Sequence, residues 1–155
     1  MGKILVLGIG NRLMMDDGMG IYLIEELSKR ACAANIQYLI GESDIDYCLE
    51  QIEGATFVII VDAVYSGKAS GELAIYPLAN LLEYQTLNIS PHNMHLFQVL
   101  YLQKDKMKGF LIGVEPSEIK YHLGLSKLIQ QRWHLIINNV NRTIEKIVAY
   151  EINWH

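Results

Sequence analysis

Three short runs of apolar residues constrain the fold of this chain more than any other feature. Ile4 to Leu7 are all apolar, residues 57–64 read FVIIVDAV, and residues 109–114 read GFLIGV. Apolar runs of this length are typical of strands that are buried on both faces of a parallel sheet. The run at residues 57–64 is the most hydrophobic, so we expect it to form the centre of the sheet.

The segments between these runs predict helices. Apolar residues recur at helical spacing from Asp17 to about Ala31. Ser43 is predicted to cap a short second helix, and Ser126 is predicted to cap a long last helix. A further helix is expected to follow the loop that begins at Pro91.

Two weaker strand signals complete the predicted sheet. Residues 36–40 (IQYLI) are a second strand candidate, and residues 71–78 (GELAIYPL) alternate more and contain Pro77, which favours a strand near an edge. Strands and helices that alternate along a chain are typical of α/β folds. We therefore expect a three-layer α/β/α sandwich around a mostly parallel sheet of about five strands, with residues 1–155 forming a single domain.

Charge and composition exclude several classes of function. The net charge is −4 at pH 7, which gives no electrostatic footprint for nucleic acid or for an anionic membrane. Cys32 and Cys48 lack CxxC spacing and are expected to be free thiols in a reducing compartment. The first apolar run is too short for a signal peptide or a membrane span. We therefore expect a cytoplasmic protein with neither a nucleic-acid nor a membrane partner, and the sequence leaves its oligomeric state open.

Three polar residues follow predicted strands, at the edge of the sheet where α/β proteins bind ligands. Asp17 follows the loop after the first strand, Asp62 closes the central apolar run, and His92 lies in the loop that enters a helix. Two carboxylates and one imidazole can bind a divalent transition metal and leave a position open for water or substrate. The spacing therefore indicates a catalytic rather than a structural metal site.

Each of these residues also has a structural interpretation. Asp16 and Asp17 could cap a helix and interact with its dipole, and we expect this role for Asp16. Asp62 could instead cap a loop, although a carboxylate behind five apolar residues needs partners. His92 could simply donate to a backbone carbonyl. His95 could replace it as a ligand, but we expect His95 to face solvent.

The GIGN stretch also suggests a dinucleotide-binding loop, and the residues after it argue against one. The dinucleotide fingerprint needs a third glycine three residues after the second. Here Gly8 and Gly10 are followed by Leu13. Asp16 and Asp17 would in addition repel a pyrophosphate.

Four motifs occur in order from about Lys3 to the final helix: GIGNRLMMDDGMG, IIVDAV, SPHNMH and GVEPSEIKYHLGLS. Together they resemble the nickel–iron hydrogenase maturation endopeptidases, and the first motif is quite specific to that family. The resemblance implies a hydrolase, a metal-dependent endopeptidase that removes the C-terminal extension of a hydrogenase large-subunit precursor after nickel insertion. The precursor is the expected partner, and cleavage lets the subunit close around its cofactor.

The resemblance also implies the residues of the site. The family's metal ligands correspond to Asp17, Asp62 and His92, which would act catalytically through the metal. We expect Ni²⁺ to be supplied by the substrate and to report that insertion is complete, while Zn²⁺ or Cd²⁺ could occupy the same oxygen and imidazole ligands. Asp16, or an acid such as Glu42, could assist as a general base.

One stretch departs from the family pattern. After the second strand the family commonly has Asp-Gly-Gly or Asp-Gly-Thr, whereas IGES here puts Ile40 in the Asp position and Glu42 in place of a glycine. Gly41 keeps the backbone permissive. Asn11, Gly41 and Glu42 are the predicted substrate-binding residues.

Two other functions fit part of the sequence. A peptidyl-tRNA-hydrolase-like enzyme also has a glycine–asparagine loop after its first strand, but it would need a basic groove for RNA. A non-proteolytic nickel or other metal chaperone would also use three ligands with an open side, although the His-rich or Cys-rich stretches of such proteins are absent from the sequence.

Overall fold

The structure is a computed structural model that describes residues 2–30, 35–83, 91–102 and 108–154, with the backbone alone described for 82–83, 91–92 and 152–154. The strands are β1 (Ile4–Ile9), β2 (Ile36–Glu42), β3 (Phe57–Ala63), β4 (Leu73–Pro77) and β5 (Gly109–Val114). The helices are α1 (Met19–Arg30), α2 (Ile45–Glu53), α3 (Pro91–Leu102), α4 (Lys127–Gln131) and α5 (Trp133–Trp154). Two 3₁₀ helices span Met15–Gly18 and Leu78–Glu83.

The five strands form one sheet in the order β2-β1-β3-β5-β4. The pairs β1–β2, β1–β3 and β3–β5 are parallel, and β4 runs antiparallel to β5 at the edge. The predicted α/β sandwich is therefore confirmed, with residues 57–63 at its centre and the strand that contains Pro77 at its edge.

Alternate residues of the central strands supply two apolar cores, one on each face of the sheet. Val6 and Ile59 pack with residues of α1 and α5, whereas Leu7 and Ile60 pack with residues of α2 and α3. All seven residues of β3 are buried, which explains its continuous apolar sequence. None of the helices in the described part of the chain is long and apolar enough to cross a membrane.

Two predicted helix caps differ in detail from the structure. Asp44, not Ser43, is the N-cap of α2, and its carboxylate accepts from Tyr47 N at 3.0 Å. Ser126 does stand at the N-cap of α4, but its hydroxyl donates to Asp16 rather than to the helix. The predicted long last helix is interrupted at Arg132, whose N–H donates to Ile129 O at 3.1 Å and closes a tight turn between α4 and α5.

A backbone contact between glycines sets α1 against the sheet. A Cβ on Gly20 would meet the carbonyl oxygens of Val61 and Ile9, the latter at 2.6 Å, and a Cβ on Gly8 would meet the carbonyl oxygen of Gly20. The first turn of α1 therefore touches the backbones of β1 and β3 directly. This close approach holds the segment before α1 near the carboxyl end of β3.

We expect Gly20→Ala to lower the free energy of unfolding by about 1–3 kcal/mol, because its methyl group would push α1 off the sheet. Urea unfolding monitored by circular dichroism measures the change. Gly54→Ala is the matched control, since the nearest atom to its Cβ is Gln51 O at 3.9 Å. Equal unfolding midpoints for the two variants would contradict the role of Gly20.

Candidate active site at the carboxyl ends of the strands

The loop between β1 and α1 positions Asp17. Gly10 adopts a φ of 143°, and a Cβ there would meet the carbonyl oxygen of Asp17. Asn11 N donates to Asp17 Oδ2 at 3.1 Å, while Asn11 Oδ1 accepts from Leu13 N at 2.9 Å. Asn11, predicted to bind substrate, is thus seen to shape the loop and to orient the half-buried carboxylate of Asp17.

Asp62 lies near the end of β3 and is fully buried. Its Oδ1 accepts from Ala63 N at 2.8 Å, and its Oδ2 accepts from Asn93 Nδ2 at 2.8 Å. Asn93, a buried residue of α3, received no role from the sequence. The signal that could have identified it is its position in the SPHNMH motif, directly after His92.

Burial raises the free energy of ionising both carboxylates, and the charge of Asp17 adds to the cost for Asp62. Burial raises the pKa of Asp62 well above its usual value, and the charge of Asp17 raises it further, against the hydrogen bonds from Asn93 and Ala63. Burial also raises the pKa of Asp17, against the hydrogen bond from Asn11. Neither carboxylate forms an ion pair with a Lys or Arg within the described ranges. A divalent cation between the two would stabilise both ionised forms, so this donor set fits a metal.

The third predicted ligand, His92, is the second residue of α3, and its side chain lies outside the described residues. Among the side chains that are described, no three His, Cys, Asp or Glu residues form a group that could hold a metal ion. The three-ligand set therefore stays a prediction. His95 is exposed, as expected.

Asp16 is fully buried and does not cap the helix it precedes. Its carboxylate accepts four hydrogen bonds from the segment 117–126, more than a hundred residues away. Four donors occupy about all the acceptor positions of a carboxylate. The expected cap is thus replaced by a long-range contact, which favours a structural role over that of a general base.

The stretch that departs from the family pattern is joined to the loop of Asp17. Gly41 forms a bulge between Ile40, which pairs with Gly8, and Glu42, which pairs with Ile9. A Cβ on Gly41 would meet the Sγ of Cys48, a buried free thiol, so a larger residue here would have to displace this side chain. Cys32 lies outside the described residues.

Glu42 adopts a φ of 49° and contacts the neighbouring loop through its backbone and its side chain. Its carbonyl oxygen accepts from Gly10 N at 3.0 Å. Its carboxylate forms an ion pair with Arg12 Nε at 3.2 Å. The roles of Gly41 and Glu42 in substrate binding stay predictions.

We expect Asp62→Asn to stabilise the metal-free protein at neutral pH. Because folding raises the pKa of Asp62, the folded state holds its proton more tightly, and this contribution to stability is lost as pH rises above the usual Asp range towards the folded pKa. Thermal unfolding in the presence of a chelator should show a higher Tm for Asp62→Asn at pH 7 and a smaller difference at pH 4. Glu53→Gln, an exposed carboxylate, is the control, and a Tm gain no greater than in this control would contradict the prediction.

The known proteins that are similar to this chain in sequence are hydrogenase maturation proteases and hydrogenase expression/formation proteins. A family model described as HycI, hydrogenase maturation protease, matches residues 21–143. The chain is 31% identical over 134 residues to the hydrogenase 2 maturation protease of Escherichia coli strain K12, covering 83% of this chain and 82% of that protein. It is 35% identical over 123 residues to the hydrogenase expression/formation protein HupD of Thiocapsa roseopersicina, covering 76% of this chain and 56% of that longer protein.

Solved structures agree with the sequence comparison. The hydrogenase maturating endopeptidase HybD from Escherichia coli superposes with a TM-score of 0.76 at 26% identity and covers 93% of both chains. The NiFe hydrogenase maturation protease HybD from Thermococcus kodakarensis has a TM-score of 0.69 at 22% identity over 91% of this chain and 98% of that one, and shares the fold. The enzyme class predicted from the sequence, a hydrolase, is thereby confirmed. This chain belongs to the hydrogenase maturation protease family.

Proposed function

We propose that this endopeptidase removes the C-terminal extension of a NiFe-hydrogenase large-subunit precursor and recognises the nickel that the precursor already carries. Asp17, Asp62 and His92 are the proposed nickel ligands, and the metal is part of the substrate. The cytoplasm is the proposed compartment, because Cys48 is a buried free thiol, as is usual for proteins of a reducing compartment.

The observation that carries this proposal is a fully buried and a half-buried carboxylate, Asp62 and Asp17, neither of which has a Lys or Arg ion-pair partner in the described part of the chain. Ionising both groups costs free energy until a positive charge binds between them. A precursor that presents Ni²⁺ supplies this charge, whereas a metal-free precursor leaves the repulsion in place. The site therefore discriminates between the two forms of the precursor by their charge at one position.

The third ligand is supported by its neighbour in α3. The amide of Asn93 donates to Asp62 at 2.8 Å, so the first turn of α3 lies against the carboxylate. His92 directly precedes Asn93 in this turn. A neutral imidazole and two carboxylates are ligands that suit Ni²⁺, and they leave positions for the precursor's own ligands and for water.

The residues around the ligands have distinct tasks in hydrolysis. The hydrogen bond from Asn11 N orients Asp17, and those from Asn93 and Ala63 orient Asp62. A cation held by Asp17, Asp62 and His92 would supply electrostatic stabilisation of the negative charge that develops on the oxygen of the scissile peptide. Neutralising one ligand removes both recognition of the precursor and this stabilisation.

Cleavage of a cognate precursor tests the proposal. We expect the wild-type protein to remove the C-terminal extension from nickel-loaded precursor only, with mass spectrometry of the precursor as the readout. Asp17→Asn, Asp62→Asn and His92→Ala should each lower kcat/KM by more than about 100-fold, since loss of a ligand exceeds the usual effect of losing a residue that supports one.

His95→Ala is the matched control for His92→Ala, because His95 is exposed on the same helix. It should cleave the precursor at the wild-type rate. Equal cleavage of nickel-loaded and nickel-free precursor would show that the protein does not recognise the precursor through its nickel. Binding of Ni²⁺ without cleavage of any cognate precursor would instead favour the metal-chaperone function.

A further inference from the structure

We propose that Asp16 is a positioning residue, which fixes the carboxylate of Asp17 by anchoring the loop before α1 to the segment 115–126. The inference deepens the proposed function and rests on the role given there to Asp17. Asp16 itself is buried, so it acts on the site through the backbone rather than by touching the substrate.

The anchor consists of four hydrogen bonds to one carboxylate. Oδ1 of Asp16 accepts from Ser126 N at 2.8 Å. Oδ2 accepts from Ser117 N at 2.9 Å, Glu118 N at 2.9 Å and Ser126 Oγ at 2.7 Å. Hydrogen bonds to an ionised acceptor are among the stronger ones in proteins, and here all four join the same two segments.

Backbone contacts continue the anchor on both sides of Asp16. Met15 N donates to His122 O at 2.9 Å, and His122 N donates to Leu13 O at 2.9 Å. Asp16 N donates to Glu118 O at 3.2 Å. The segment 13–16 therefore lies along the later segment in a fixed register.

The anchored loop contains a residue in an unfavourable conformation. Met15 adopts a φ of 50°, in the left-handed region that residues other than glycine rarely occupy. Such a conformation persists where the surrounding contacts impose it, and the contacts here are the buried side chain of Met15 and the hydrogen bonds of Asp16. Without the anchor, Met15 can relax to an ordinary φ, and Asp17 would move with it.

The same segment is also attached near Asp62. Glu115 is buried, and its Oε1 accepts from Ser66 N at 2.9 Å, Ser66 Oγ at 2.9 Å and Lys68 N at 3.1 Å. Residues 66–68 belong to the loop that follows Asp62. The segment 115–126 thus joins the loop that carries Asp17 to the loop that follows β3, the strand of Asp62.

The backbone N–H of Asn11 provides a direct test, because it donates to Oδ2 of Asp17 at 3.1 Å. Its hydrogen exchange, measured by NMR on the full chain, reports whether Asp17 holds its position. Asp16→Asn supplies a single acceptor oxygen and turns an NH₂ group towards donors, so exchange at Asn11 should rise by about tenfold or more. Ser126→Ala removes one of the four bonds, and a rise of about 2- to 10-fold is expected, equivalent to one net hydrogen bond.

Ile4→Ala is the control, since it destabilises the core at the far end of β1. It should leave exchange at Asn11 unchanged, while Asp17→Ala gives the upper limit. If the Asn11 amide exchanges no faster in Asp16→Asn and Ser126→Ala than in Ile4→Ala, the proposal is overturned. If Asp16→Asn does not fold, the exchange rate of the Asn11 amide in Ser126→Ala tests the proposal.

Binding of Ni²⁺ alone, measured by calorimetry, gives a second readout. The Kd of Asp16→Asn should be about 10- to 100-fold higher than that of the wild type, as for other residues that position ligands, and Ile4→Ala should keep the wild-type Kd. A wild-type protein that cleaves no nickel-loaded precursor would refute the proposed function. Exchange at Asn11 would still decide whether Asp16 positions Asp17.

Discussion

The cost of ionising two carboxylates, one fully buried and one half-buried, is the constraint on which the rest of this site depends. Asp17 lies in the 3₁₀ helix between β1 and α1, Asp62 lies near the end of β3, and burial raises the free energy of ionising each of them. Such a pair destabilises a fold unless binding of a cation repays that cost. In the proposed function, the free energy lost by ionising these groups would be recovered when a cation binds between them.

Rigid surroundings are needed to keep these groups close together. The contact of Gly20 with the backbone of the sheet fixes the start of α1, and Gly10 lets the chain turn tightly against Asp17. Asp16 and Glu115 attach the loops on either side to one later segment. The loops around the two carboxylates are thus fixed by hydrogen bonds that the buried carboxylates of Asp16 and Glu115 accept, and by close backbone packing.

The sequence predicts the sheet well because a strand that is buried on both faces needs a nearly continuous run of apolar residues, as in FVIIVDA of β3. Helix caps are predicted less well: Ser43 and Asp44 are both good caps, and only the structure shows that the Asp44 carboxylate accepts from Tyr47 N. The partners of Asp16 could not be predicted at all, because they lie more than a hundred residues away and are mostly backbone amides. Asn93 was missed for a related reason, since only the fold brings it to Asp62.

The most direct test of the central claim is a crystal structure of the protein with saturating Ni²⁺, using the anomalous scattering of the metal to locate it. We expect a single strong peak within about 2.0–2.2 Å of oxygens from both Asp17 and Asp62, the usual distance for a first-row divalent ion bound to carboxylate. We also expect the imidazole of His92 to complete the protein's ligand set. A peak elsewhere, or none between the two carboxylates, would contradict the proposed nickel site.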